Sequence, residues 1–105
     1  MKRGEVWLTA LDPTVGREIR KTRPCLVVSP DELNASLPIV TVAPLTGGSH
    51  PAPFRVAIAF ADKNGLILTE QLRSVDCRRL IKRMGTVDPR ILDETLATLR
   101  ELFAE

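Results

Sequence analysis

The sequence predicts a mainly β fold: a small, strongly bent sheet or partly closed barrel with one helix at its C-terminal end. Three observations carry that expectation. Five or six short runs are apolar or alternate in polarity, and each is bounded by Pro, Gly, Asn or Asp, the punctuation of strands joined by tight turns. One of them, Phe54 to Phe60, alternates cleanly and leads into Asp62-Lys63-Asn64-Gly65, a hairpin signal. Near the C-terminus the period changes, with Leu92, Leu96, Leu99 and Phe103 recurring at helical spacing.

Taken in order, Glu5 to Leu11 reads as a strand with Val6, Leu8 and Ala10 on one face and Trp7 and Thr9 on the other. Trp7 suits a core or subunit contact better than a base-stacking platform. Asp12 and Pro13 stop the strand, since proline cannot donate to a ladder. Pro24 to Ser29 contains CLVV, a wholly apolar run of the kind buried in a core. Ser29-Pro30-Asp31-Glu32 has the order of a helix start, with serine as cap and proline first, but Pro38 limits that helix to a turn or two. Pro38 to Pro44 is a short buried strand, and Leu45 to Pro53 a loop with Thr46 at its first bend beside Gly47 and Gly48. In Phe54 to Phe60, residues Phe54, Val56, Ile58 and Phe60 point inward. Gly65 to Thr69 returns as the hairpin partner, Glu70 to Asp76 alternates along a cleft, a turn spans Cys77 to Leu80, and Ile81 to Val87 is a further strand. Asp88 caps the last helix and Pro89 opens it.

At 105 residues the chain is expected to form one domain over 1–105 and to bury about two thirds of its unfolded surface. Domains of this size often gain stability by pairing. With 44% hydrophobic and 27% charged residues, the composition is that of an ordered globular protein. No apolar run approaches the roughly 20 residues of a membrane span, and MKRGEVW lacks a signal peptide's apolar segment; a cytoplasmic location without membrane contact is expected. Cys25 reads as a small core residue and Cys77 as a free, partly exposed thiol, with no disulfide.

Charge is distributed unevenly. Residues 71–90 carry six cations against two anions, and residues 91–105 four anions against one cation, so the two segments are expected to face different partners. The stretch from Thr14 to Ser29 places four cations, Arg17, Arg20, Lys21 and Arg23, against the single anion Glu18, directly before the buried CLVV run. Pro24 biases Arg23 towards an extended conformation. A cation at the rim of a rigid strand, beneath a cationic loop, suits a polyanion. Thr46 beside a glycine pair is either a turn residue or a hydroxyl presented to a phosphate.

GEVW, LDPTVG, RPCLVVS, VAPLT and EQLRSVD, in that order, resemble the MazF/PemK toxins of bacterial toxin–antitoxin systems over nearly the whole chain. The resemblance implies an SH3-like barrel, usually a homodimer, and a sequence-specific endoribonuclease of the mRNA interferase kind that cleaves single-stranded RNA without metal or other cofactor. It also implies a cognate antitoxin whose acidic, largely unfolded tail occupies the RNA groove. The family's catalytic arginine falls on Arg23, its catalytic threonine on Thr46, and a loop glutamate on Glu18. An Arg-Cys-Asp trio used by some relatives is replaced here by Leu68, Thr69 and Glu70, which favours the arginine and threonine version.

Cleavage without metal requires a base for the 2′-hydroxyl, charge stabilisation on a crowded phosphorane, and an acid for the leaving oxygen. Arg23 suits charge stabilisation, because its planar guanidinium is always charged and grips two phosphate oxygens at once. Thr46 can donate to a nonbridging oxygen. The base is Glu18 or Glu70, with His50 a weaker candidate. Arg17, Lys21, Arg73 and Arg78 are expected to neutralise neighbouring phosphates, and Gln71 and Ser74 to read unpaired base edges. Two other readings keep the fold: a toxin that clamps a topoisomerase by protein binding, and an RNA-binding barrel without turnover.

Overall fold

The computed structural model describes residues 1–13, 15–18 and 21–105; Thr14, Ile19 and Arg20 of the basic loop lie outside the described residues. Among the described residues, strands β1 (Glu5–Ala10), β2 (Thr22–Val27), β3 (Ile39–Thr46), β4 (Arg55–Phe60), β5 (Lys63–Leu68), β6 (Arg73–Asp76) and β7 (Leu80–Thr86) form a curled antiparallel sheet. Its order is β4-β5-β3-β2-β1-β7, with β6 pairing on β3. Helix α1 (Asp31–Ser36) links β2 to β3, and α2 (Pro89–Leu102) follows β7. This is the expected class, a mainly β half-barrel with a C-terminal helix. No described helix is long and apolar enough to cross a membrane.

The CLVV run is apolar throughout because β2 is buried on both faces. Leu26 and Val28 enter one core with Val6, Val56, Ile58 and Ile67, whereas Cys25 and Val27 enter a second with Leu11, Val40, Val42 and Val75. Each such Leu or Val contributes about 1.5–3 kcal/mol of burial. Helix α2 covers the first core with Leu92, Leu96 and Leu99. Its start is the expected one, with Pro89 in the first turn and the Asp88 carboxylate accepting from the Arg90 amide at 2.8 Å. Cys25 is fully buried, and that burial pushes its thiol up to about 12, against the opposing pull of Thr9 and Arg73; Cys77 is free and partly exposed.

Strand β3 is the hub. One edge pairs with β2; the other pairs with β6 along Ile39 to Val42 and with β5 along Leu45 and Thr46. Pro44 falls in the gap between the two partners, so its missing N–H interrupts neither ladder. For this reason the strand does not end at Pro44, as expected, but runs on to Thr46, which is a strand terminus and not a loop bend.

Other boundaries move for local reasons. In β1 the buried residues are Val6 and Thr9, because the register with β7 shifts twice and rotates the strand, leaving Leu8 and Ala10 only half-buried. Strand β2 begins at Thr22, ahead of Pro24, which pairs with Leu8. Pro30, not Ser29, occupies the cap of α1; the Ser29 hydroxyl donates to Asn34 and accepts from the Thr41 amide, tying the helix to β3. Phe54 lies outside β4 and is 38% exposed, against the inward position expected. The hairpin turns at Ala61 and Asp62, both at positive φ, with Phe60 opposite Lys63. Asn64 and Gly65 are therefore in β5. Gly65 is needed there for another reason: a Cβ at that position would lie 2.8 Å from the Thr46 carbonyl oxygen. Glu70 to Asp76 divides into a 3₁₀ turn, Thr69–Gln71, and β6. Phe103 is past the end of α2 and 71% exposed, not on the packed stripe.

Candidate nucleic-acid interface

The pairing of β2 with β3 stops at Cys25 opposite Pro44. Beyond it the strands part, Arg23 pairing with Thr9 and Thr46 with Leu66, and both residues line a cleft of about 350 Å³. Its walls are apolar at Pro24, Leu45, Ile58, Phe60 and Met84 and polar at Lys63 and Asn64 of the hairpin. Arg23 is exposed, while its backbone is held against Thr9 of β1. The Thr46 hydroxyl is half-buried and accepts from the Gly48 amide at 3.3 Å, which occupies a lone pair and leaves the O–H able to donate. A cation and a hydroxyl donor thus converge on one opening beside an apolar wall.

A second cleft of about 380 Å³ is lined by Arg17, Glu18, Glu70, Gln71 and Arg73, with Val15 and Leu72. Every acid in it has a donor. Glu18 accepts from the Val15 amide at 2.6 Å, which folds its loop back on itself. Glu70 accepts from Arg55 through Nε at 3.0 Å and Nη2 at 2.5 Å. Arg73 donates to the Leu11 carbonyl at 3.1 Å. The sequence-predicted residues therefore divide into two groups: Arg23 with Thr46, and Arg17, Glu18, Glu70, Gln71 and Arg73 together elsewhere. Glu18 does not line the cleft of Arg23.

Several arginines of the expected basic face over 71–90 have partners within the fold, while the side chains of Arg78 and Arg90 stay largely exposed. Arg78 pairs with Asp76 at 3.0 Å, and its guanidinium and amide hold the Asp76 carboxyl below the usual range. Arg83 pairs with Glu5 at 2.7 Å and Arg90 with Asp88 at 3.5 Å. Arg79 donates to the Ala10 carbonyl at 3.1 Å and to that of Asp12. Ser74 shares a 2.9 Å hydrogen bond with Thr41 on the open side of β6. Lys21 is exposed at φ 66°, where the chain enters β2. His50 is exposed, and its carbonyl accepts from Arg55. Among the described residues, no three His, Cys, Asp or Glu side chains gather as metal ligands would.

The family model describing PemK-like, MazF-like toxins of type II toxin–antitoxin systems matches residues 2–103. The chain belongs to this family. A PemK/MazF relative from Escherichia coli, endoribonuclease PemK, is 36% identical over 109 residues, covering 98% of this chain and 82% of its own length. Among solved structures, a crystal structure of MazF from Deinococcus radiodurans superposes with a TM-score of 0.87 at 26% identity, covering 97% of this chain and 94% of that one. A MazE–MazF structure from the same organism superposes at 0.74 with 28% identity, again over 97% and 94%.

Sequence reasoning missed the far wall of the first cleft in this PemK/MazF chain: Phe60, Lys63, Asn64 and Met84. Its visible signal was the alternation of Val56, Ile58 and Phe60, which carries an aromatic to the hairpin mouth. Assigning Lys63 and Asn64 to the turn hid their place on β5.

Proposed function

We propose that this chain is the toxin of a type II toxin–antitoxin pair and a sequence-specific endoribonuclease, cutting single-stranded RNA with Arg23 and Thr46 at the reacting phosphate. The observation that carries the reading is the single cleft those two side chains line. The 2′-hydroxyl gives up its proton to the base and attacks its own phosphorus, and the 5′-oxygen of the next nucleotide leaves and takes up a proton, so the products are a cyclic phosphate and a free 5′-hydroxyl. The Arg23 fork neutralises the charge that builds on the nonbridging oxygens, and the Thr46 O–H donates to one of them. Arg23 is too weak an acid to serve as the base. The base is drawn from Glu18 and Glu70, which line the second cleft, or from His50 on the loop beside Arg55. Arg17, Lys21 and Arg73 neutralise flanking phosphates, and Gln71 reads a base edge.

The partners that fit are a second copy of the chain, forming a homodimer, and a cognate antitoxin whose acidic, unfolded tail competes with RNA for the same cations. Arg23→Ala decides the reading. Cleavage of single-stranded RNA is expected to fall by about 10³-fold with folding and RNA binding retained, whereas an unchanged rate removes the proposal. Glu18→Gln, Glu70→Gln and His50→Ala sort the candidates: the variant that loses the ascending limb of the pH–rate profile identifies the base, and an unchanged limb removes that residue from the role.

A further inference from the structure

On the nuclease reading one strand spans two clefts, and a junction at the root of β4 and β5 links elements that line them. The first cleft is built on the far ends of β4 and β5. At their near ends Arg55 pairs with Leu68, and the chain passes at once into the Thr69–Gln71 turn that walls the second cleft. Two side-chain links bind that turn to the root of β4: Arg55 reaches Glu70 through two nitrogens, and the buried Thr69 hydroxyl donates to the Phe54 carbonyl. Arg55 Nη1 also donates to the His50 carbonyl at 2.9 Å, which fixes the guanidinium. The guanidinium also lies over the Phe54 ring, 5.6 Å from its centroid.

We propose that Arg55 is a positioning residue for the cleavage reaction, locking the Thr69–Gln71 turn to β4 so that both clefts stay in register along one RNA strand. This rests on the nuclease reading above. Arg55 lines neither cleft. Its side chain is only 21% exposed and Glu70's 27%, so the fork is held in one geometry where a floppy surface pair would not be. It also serves electrostatics: Glu70 faces the second cleft, and the guanidinium behind it offsets a charge that would repel phosphate.

The test uses end-labelled single-stranded oligoribonucleotides of increasing length around one cleaved sequence. Wild-type kcat/KM is expected to rise with length as the strand extends from the Arg23 cleft into the Arg73 cleft. Arg55→Met, which keeps the stem over Phe54, is expected to lose about tenfold on the longest strand, mainly in kcat, and nothing on the shortest. Thr69→Val, near-isosteric and outside both clefts, is expected to show the same pattern, and the double variant to be no worse than the stronger single one. Equal losses at every length, as general destabilisation gives, overturn the inference, as does an unchanged length profile. Should Arg55→Met not fold, Thr69→Val decides alone. Wild-type protein that cleaves no RNA of any length fails the nuclease reading itself, a separate result.

Discussion

The two clefts are built from different materials. The Arg23 cleft stands on strand ends: β2 and β3 frame it, their roots run into both cores, and Gly65 lets β5 press against the Thr46 carbonyl. It has cations at Arg23 and Lys63 and no carboxylate among its lining residues. The Arg17 cleft stands on a loop and a 3₁₀ turn, and its two cations are matched by two carboxylates. Reaction chemistry needs donors fixed before charge develops, which strands supply. A passing backbone needs only local charge, which a loop can offer over a range of positions.

Three experiments break or sharpen that division. Thr46→Val keeps the shape and removes the donor; kcat is expected to fall by about 100-fold with KM little changed, and a change confined to KM would move Thr46 into the binding class. Gly65→Ala forces a methyl against backbone that has no flexible end to yield. A loss of about tenfold in kcat is expected from the displaced Thr46, and wild-type turnover would mean that the strand frame is softer than its packing implies. Arg17→Ala is expected to have the smallest effect. Affinity for an uncleavable 2′-deoxy strand weakens a few-fold at every sequence, and the slope of log affinity against log salt falls by about one. A kcat loss matching that of Thr46→Val would erase the contrast between the clefts.

Much of the frame was legible because its signals are local. CLVV declared a strand buried on both sides, Asp88-Pro89 declared a helix start, and the alternation of Val56, Ile58 and Phe60 declared β4. The errors share a cause in contacts that the chain makes with distant parts of itself. Pro44 reads as a strand end until β3 is seen to change partners there. Asn64-Gly65 reads as a turn until Thr46 is found pressed against Gly65. The intramolecular partners of the arginines of 71–90, carboxylates and carbonyls alike, likewise cannot be inferred from spacing. For the site, Arg23 and Thr46 came together on the family resemblance, each at a strand end, whereas the separation of Glu18 from Arg23 depends on how a loop folds back, which residue types alone do not specify.

The carbonyls of Ala10, Leu11 and Asp12, where the basic loop leaves β1, are held by Arg73 and Arg79, partners 62 to 69 positions downstream. Such an anchor is unavoidably late. While the chain is being synthesised, the segment bearing Arg17 and Glu18 leaves the ribosome long before the side chains that secure its root. A product broken off before Arg73 lacks both partners, so the root of the basic loop is secured only after most of the chain has been made.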